Sequence, residues 1–509
     1  IQIGARFQRD GERGSQGFLE ATFRFPFGQK KSYRDKGLYA RLDDAPERDI
    51  DIVTSDAITQ AGRRVAVVDS TSGSAQEVLH VDNTAAAGGD GSMDTPFNSL
   101  SGAEGAASAG TIIYVHAGDG TTTNQDQGVA LDKEGMQLIG SGAAFVLDGS
   151  NYKTSAGASV MSSITLAPAG AAPKITNVNA DSNGIDITAD KVKVSGLTVD
   201  GATNIGISVA GTGIDWDRLE ITDVSAINGD DEAVKLVIEG ASTIGNIVFD
   251  NLTIKNNADE GIYLSINDAT RIGNVDFDNL TINDNNDKGI NVSVDDDASV
   301  DNISLDNIEL LNNTDHGFYM PIWNNARIGN VSFNNVVSSN NRIGMEFFLR
   351  NDSSINSVTV KNTTISNSDL FGFYLTMDDD SQVTGMDIDN VTVTDNTDTG
   401  LYMYSQIRSV VSRVKVQNSI FAGNGTYGIR LSKHTTADII SDFGGGSFGS
   451  VGNNSIYGNT DKDVRINLWG GEFKAENNWW GVATGLDGAE VTLSNGSTVD
   501  SSPHLTSAP

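Results

Sequence analysis

The sequence predicts an all-β chain, a right-handed parallel β-helix solenoid with coils of about 28 residues and a cap at each end. Three observations predict it. First, a small residue precedes an apolar strand at Gly184, Gly206, Ala233, Gly261, Gly289, Gly317, Gly344, Gly372, Gly400 and Gly428, with spacings of 22, 27, 28, 28, 28, 27, 28, 28 and 28. A period of roughly 20–50 residues marks a solenoid. Second, each unit is rich in Asn, Thr, Val, Ile and Gly, and its apolar residues alternate with polar ones, which suits strands and excludes helical repeats. Third, superposing the units aligns like residues in columns.

The elements follow in chain order. Ile1, Ile3, Ala5 and Phe7 alternate with polar or small residues, and after the turn at Asp10–Gly14 so do Leu19, Ala21, Phe23, Phe25 and Phe27. Period two gives one apolar and one polar face. Residues 1–28 therefore read as a β-hairpin, either an ordinary amphipathic one or two strands of a transmembrane β-barrel, which needs about eight strands to close. The run Phe23-Arg24-Phe25-Pro26-Phe27-Gly28, followed by Leu42-Asp43-Asp44-Ala45-Pro46-Glu47-Arg48-Asp49-Ile50-Asp51-Ile52-Val53-Thr54, resembles the exit of an inverse autotransporter (intimin/invasin-like) barrel. That resemblance implies that residues 1–28 are the remnant of an outer-membrane barrel, that the rest is a surface-exposed passenger, and that the chain is a fragment of something longer. Residues 29–78 read as a linker.

Residues 79–509 form the solenoid. In Asn274–Ile282 the residues Val275, Phe277, Leu280 and Ile282 point inward, and the alternation slips at Asp278-Asn279, which makes that pair a corner. Ile290, Val292 and Val294 continue the inward set. Ile262, Ile290, Phe318, Met345, Phe373, Leu401 and Ile429 are expected to stack in the core, as are Ile272, Val300, Ile328, Ile355, Val383, Val411 and Ile439. Asn251, Asn279, Asn307, Asn335, Asn362, Asn390 and Asn418 are expected to form a buried corner column, because an amide both donates and accepts along a stack. The N-terminal cap spans 79–120, with a short helix near Ala103–Ala109. This segment resembles the entry of pectate-lyase-like β-helix proteins. Asn477-Asn478-Trp479-Trp480-Gly481, in a C-terminal cap of about 453–509, resembles the closing motif of bacterial surface β-helices. These likenesses imply the fold and leave the function open, since adhesins, lyases, hydrolases, epimerases and tailspikes share the scaffold.

Composition narrows the function. The 509 residues carry 34 Lys+Arg against 67 Asp+Glu and no Cys. Thiol chemistry, disulfides and Cys-ligated metals are excluded, and the net charge of −33 argues against nucleic acid as a partner. Residues 1–64 hold 12 basic and 10 acidic side chains, so the acidity belongs to the solenoid. No 18-residue apolar run exists to form a membrane helix.

Two positions after each marker the residue points outward: Lys235, Tyr263, Asn291, Tyr319, Glu346, Tyr374, Tyr402 and Arg430. Over four consecutive coils this face gathers six aromatic side chains, Tyr319, Trp323, Phe348, Tyr374, Tyr402 and Tyr404, flanked by Glu346 and Arg350. Such a strip suits a polysaccharide or cell-surface glycan, although stacked Tyr residues also stabilise neighbouring strands. Asp231, Asp259, Asp287 and Asp315 lie one coil apart at the turn entering this strand. Calcium would relieve their repulsion, and a solvated Asn/Asp turn explains them equally. Calcium is the one cofactor the sequence suggests. Catalytic candidates are Asp230, Asp231, His316 and Glu346, but no lyase or hydrolase motif accompanies them, and Asp231 and His316 fall three coils, about 14 Å, apart. The leading expectation is a bacterial cell-surface passenger, outer-membrane anchored or extracellular, that binds glycans as an adhesin. The alternative is a polysaccharide-degrading or -modifying enzyme using the same face.

Overall fold

A computed structural model describes residues 75–147 and 163–509, together with the strands Gln2–Asp10, Gly14–Thr22, Val67–Asp69 and Tyr152–Thr154. The chain divides into two units, 1–53 and 54–509. In the first, Gln2–Asp10 and Gly14–Thr22 pair antiparallel, Ala5 opposite Leu19. The Phe23–Gly28 run and most of the expected linker lie outside the described residues, as does the 42–54 motif.

The second unit is a parallel β-solenoid of about 13 turns. Thirteen strands, from Val129–Leu131 to Val491–Leu493, pair side by side as its first face. The other two faces merge into one sheet, because Arg271–Asn283, Ser299–Leu311 and Arg327–Ser339 run unbroken round the corner between them. Register is maintained coil to coil: Ile262 pairs with Ile290, Phe318 with Met345, and Leu401 with Ile429. Both expected apolar columns are buried, none of their members more than 5% exposed. Inside, Phe249 and Phe277 stack 5.1 Å apart, and Phe318, Phe333 and Phe347 pack edge to face or tilted.

The marker residues are small because adjacent coils approach closely there. A Cβ on Gly261, Gly289, Gly317 or Gly344 would stand 2.6–2.7 Å from the carbonyl oxygen of the next marker. This is a contact constraint, not one of left-handed backbone, since no positive φ occurs at these positions.

Two expectations change. The corner column Asn251, Asn279, Asn307, Asn335, Asn362 and Asn390 is exposed rather than buried, and its last member, Asn418, is half-buried. These residues turn the chain in the left-handed region (φ +49° to +57°), which Asn tolerates and β-branched residues do not. The buried amide ladder is a different column, four residues before the marker in most coils. The Asn257, Asn285 and Asn313 side chains each donate to the Oδ1 of the next coil's Asn at 2.9–3.2 Å, ending on Asn341, and Asn396, Asn424 and Asn459 repeat the ladder at 2.9 Å. The cap helix is Leu100–Ala106, starting earlier than expected, with the Ser99 side chain accepting from the Gly102 amide and Leu100 and Ala103 buried. At the other end Asn478 is fully buried and accepts from Asn454, while Trp480 is 4% exposed.

Candidate functional site

The first face carries the chemistry. Its alternation sends one residue in two outward, and parallel register aligns those residues along the solenoid. Lys235, Tyr263, Asn291, Tyr319, Glu346, Tyr374, Tyr402, Arg430 and Arg465 form one column across nine coils. The neighbouring column runs Pro321, Phe348, Thr376, Tyr404, Ser432 and Asn467.

The middle of the strip is an ionic cluster. His316 Nε2 lies 2.6 Å from Glu346 Oε2, and its Nδ1 is 3.0 Å from Asp315 Oδ2, a charge contact without hydrogen-bond alignment. His316 and Glu346 are 6% and 8% exposed. Burial pulls the imidazole down, but Asp315 and Glu346 outweigh it and leave its pKa raised. His316, and then Arg342 at 2.9 Å, hold Asp315 well below the usual carboxylate range against its burial. Tyr319 lies 4.7 Å from the His316 ring. The structure thus brings His316 and Glu346 together, as their separation in sequence does not show.

Toward the N-terminal side the turn column acquires buried partners that the sequence reading missed. Glu232 and Glu260 are 3% and 8% exposed. Lys235 is 2.6 Å from Glu232, and Lys288 is 2.6 Å from Asp287 and 3.4 Å from Glu260, which also accepts from Asn291. Burial, with the nearby Glu260, Glu232 and Asp287, pushes Asp259 up to about 7. Ligand atoms of Asp231, Glu232 and Asp259 lie within 4.8 Å of one another, as do those of Asp259, Glu260 and Asp287. This donor set is all oxygen, the type a calcium ion takes. Asp315 stands apart from both groups, committed to His316 and Arg342, and Asp230 is exposed.

Toward the C-terminal side the aromatic rings stack on one another. Tyr374 and Tyr402 are 5.0 Å apart at 15°, Tyr402 and Tyr404 6.0 Å apart at 14°, and the Arg430 guanidinium lies 4.2 Å over Tyr402. Protein groups therefore occupy the faces of Tyr402, which is 7% exposed. Burial raises the Tyr402 hydroxyl to about 12 and raises those of Tyr319 and Tyr374, so all three remain hydrogen-bond donors at neutral pH. Trp323 and Phe348 pack edge to face at 6.1 Å beside this row, and exposed Arg350 lies 3.6 Å from Asp379 on the adjoining turn.

A family described as a protein of unknown function (DUF1565) matches residues 347–484. No curated protein matches the chain. Among solved structures, a periplasmic alginate epimerase, AlgG, is 12% identical, with 78% of this chain and 76% of that chain covered and a TM-score of 0.39. Pectate lyase Pel9A is 12% identical, with 74% and 80% covered and a TM-score of 0.33. A rhamnogalacturonan lyase is 12% identical, with 74% and 87% covered and a TM-score of 0.29.

Proposed function

We propose that the first face binds a linear polysaccharide or cell-surface glycan along the solenoid axis, as the binding surface of an extracellular or cell-surface, adhesin-like passenger. The observation that carries this reading is the outward column from Lys235 to Arg465. It aligns ammonium, phenol, amide, carboxylate and guanidinium groups in register, one per coil, at steps of about 4.8 Å, with Asn291, Glu346 and Tyr402 the most buried of them. That spacing is close to the length of a sugar unit, so a stretched glycan meets a new polar side chain at each residue. The grip is mainly one of hydrogen bonds to hydroxyls and charged groups, because Tyr402 is already stacked on both sides. His316 holds Glu346 and packs against Tyr319, and its ring nitrogens are engaged by carboxylates. It serves here as a positioning residue. An outer-membrane anchor belongs to the same proposal and rests on the sequence resemblance of residues 23–54. Among the described residues no helix is long and apolar enough to cross a membrane, which says nothing of a β-barrel.

The test is a glycan array and affinity electrophoresis. Wild type is expected to retain at least one polysaccharide, and Tyr374→Ala with Tyr402→Ala to weaken that binding about tenfold or more, the equivalent of about 1.4 kcal/mol. Absence of any glycan ligand for the wild type sinks the reading.

A second reading, a polysaccharide-degrading or -modifying enzyme, is favoured by one observation. Glu232, Glu260 and Glu346 are all more than nine-tenths buried on an outward strip, a costly arrangement of ionisable groups that often marks catalysis. It predicts new reducing ends or unsaturated products from acidic polysaccharides, lost in Glu346→Gln. Binding without any product over long incubation decides for the first reading.

A further inference from the structure

The cations of the strip fall into two groups. Lys235, Lys288 and Arg342 each sit on carboxylates of the same face. Arg430 and Arg465 do not. They pair in register on adjacent coils, and neither has a carboxylate partner among the described residues. Arg430 lies over Tyr402 at 4.2 Å, and Arg465 lies 5.4 Å over Tyr427, whose hydroxyl accepts one of its N–H groups at 2.9 Å.

The ring contacts place each guanidinium carbon over a tyrosine ring, and only the Tyr427 contact uses an N–H group. The N–H donors lie in the guanidinium plane, and all but one of the side-chain donors of this pair lack a protein acceptor. One of them, Arg430 Nε, is buried without a partner. A buried donor left unpaired is costly, and two guanidinium groups one coil apart repel. The chain has 67 Asp and Glu residues, yet none of those among the described residues pairs with these two arginines. Guanidinium forks match carboxylate and sulfate oxygens in a bidentate manner.

We infer that Arg430 and Arg465, with the Tyr402 and Tyr427 rings beneath them, form a subsite for an oxyanion, the carboxylate or sulfate group of an acidic polysaccharide. The anion site stands on the arginines alone, and its assignment to a polymer rests on the carbohydrate reading above. The strip is consequently polar along its length. The Asp231–Asp259–Asp287 end repels an acidic sugar, and the Arg430–Arg465 end receives it.

The experiment uses the full chain as wild type, Arg430→Gln, Arg465→Gln and the double variant, with Arg430→Lys as a variant that keeps the charge and loses the fork. Melting is followed in sodium sulfate, sodium glucuronate and sodium chloride at matched ionic strength. Binding is measured to polygalacturonate and its carboxyl-reduced form, and to dextran sulfate and dextran. Sulfate or glucuronate is expected to raise the Tm of wild type above its value in chloride by more than it raises that of the double variant, whose rise in sulfate measures the general stabilisation by that salt. The acidic polymer that binds is expected to exceed its neutral counterpart at least tenfold, and the double variant to lose that preference; the better of the two polymers identifies the anion as carboxylate or sulfate. Equal melting of wild type in all three salts overturns the subsite. So does a double variant, folded by circular dichroism, that keeps the acidic preference while Tyr374→Ala with Tyr402→Ala abolishes binding, and that result leaves the carbohydrate reading standing. An Arg-dependent rise in Tm with no polymer bound supports the anion subsite and overturns its assignment to a polymer.

Discussion

His316 acquires its properties from its neighbours. Alone, a histidine in a turn is half charged near neutral pH. Between Glu346 and Asp315 its pKa is raised even though burial opposes the charge. A raised folded value means that the stabilisation is fully present below the ordinary 6.5 and is lost as pH rises through the folded value. His316→Gln is therefore expected to cost about 3 kcal/mol at about pH 6, because it leaves Glu346 buried without its cation. The cost should shrink as pH rises above the ordinary 6.5 and through the folded value, where the wild type also loses the charge. Chemical denaturation across that range checks it, and a pH-independent difference would rule out the charged pair. The acidic turn gives a second expectation at this scale. If calcium binds, it belongs at Asp231, Glu232 and Asp259, whose oxygens converge, and not at Asp315, which His316 and Arg342 already neutralise. Calcium should then raise the Tm relative to chelator in wild type and in Asp315→Asn, but not in Asp259→Asn. No shift in wild type removes the ion.

At the scale of one coil, the marker glycine shows what holds neighbouring strands at their spacing. Gly317 meets the Gly344 carbonyl oxygen at 2.6 Å from a built Cβ and would also crowd Ser338 Oγ. Ala233 occupies the equivalent place in one coil, so a single methyl is accommodated where the stack can shift. Gly317→Val is expected to destabilise by about 1–3 kcal/mol through overpacking, and Gly317→Ala by less. Equal Tm values for the three proteins would show that the coils are not in close contact there. The exposed corner Asn and the buried ladder Asn divide the work within the same coil. The first supplies a left-handed turn, and the second satisfies buried backbone amides, as when Asn285 N donates to Asn313 Oδ1. Both columns have the same period in sequence. Only their side of the backbone tells them apart.

For the whole molecule, the solenoid is a stack in which each coil contacts its neighbours, so stability is nearly a sum of coils and interfaces. Removing 290–317, one complete repeat of 28 residues, joins Gly289 to Phe318 and preserves every column. Removing 290–303 joins unlike positions and breaks them. The first deletion is expected to keep a β-type circular dichroism spectrum and a cooperative melt, and the second to aggregate. Similar behaviour of the two would mean that columns do not determine register. The net charge of −33 also takes a different meaning at this scale. It is spread over turns and strand edges, while the first face alternates an acidic end, a neutralised centre and a cationic end.

The sequence by itself determined the solenoid, its 28-residue period, the inward columns and the outward strip. Parallel stacking repeats the same environment at every coil, so core, corner and face each print a periodic signal that can be counted along the chain. The tertiary structure decided which side chains meet across coils. His316 is opposite Ile343 in register and reaches Glu346 diagonally. Glu232 and Glu260 sit beside the acidic column that was legible, but their burial was not. The stacking of Tyr374 on Tyr402, and the lack of a carboxylate beside the arginines beyond them, depend on rotamers and lateral distances of a few ångströms. A linear period specifies the coil a residue belongs to; the direction in which its side chain leans is fixed only when the neighbouring coils are packed against it.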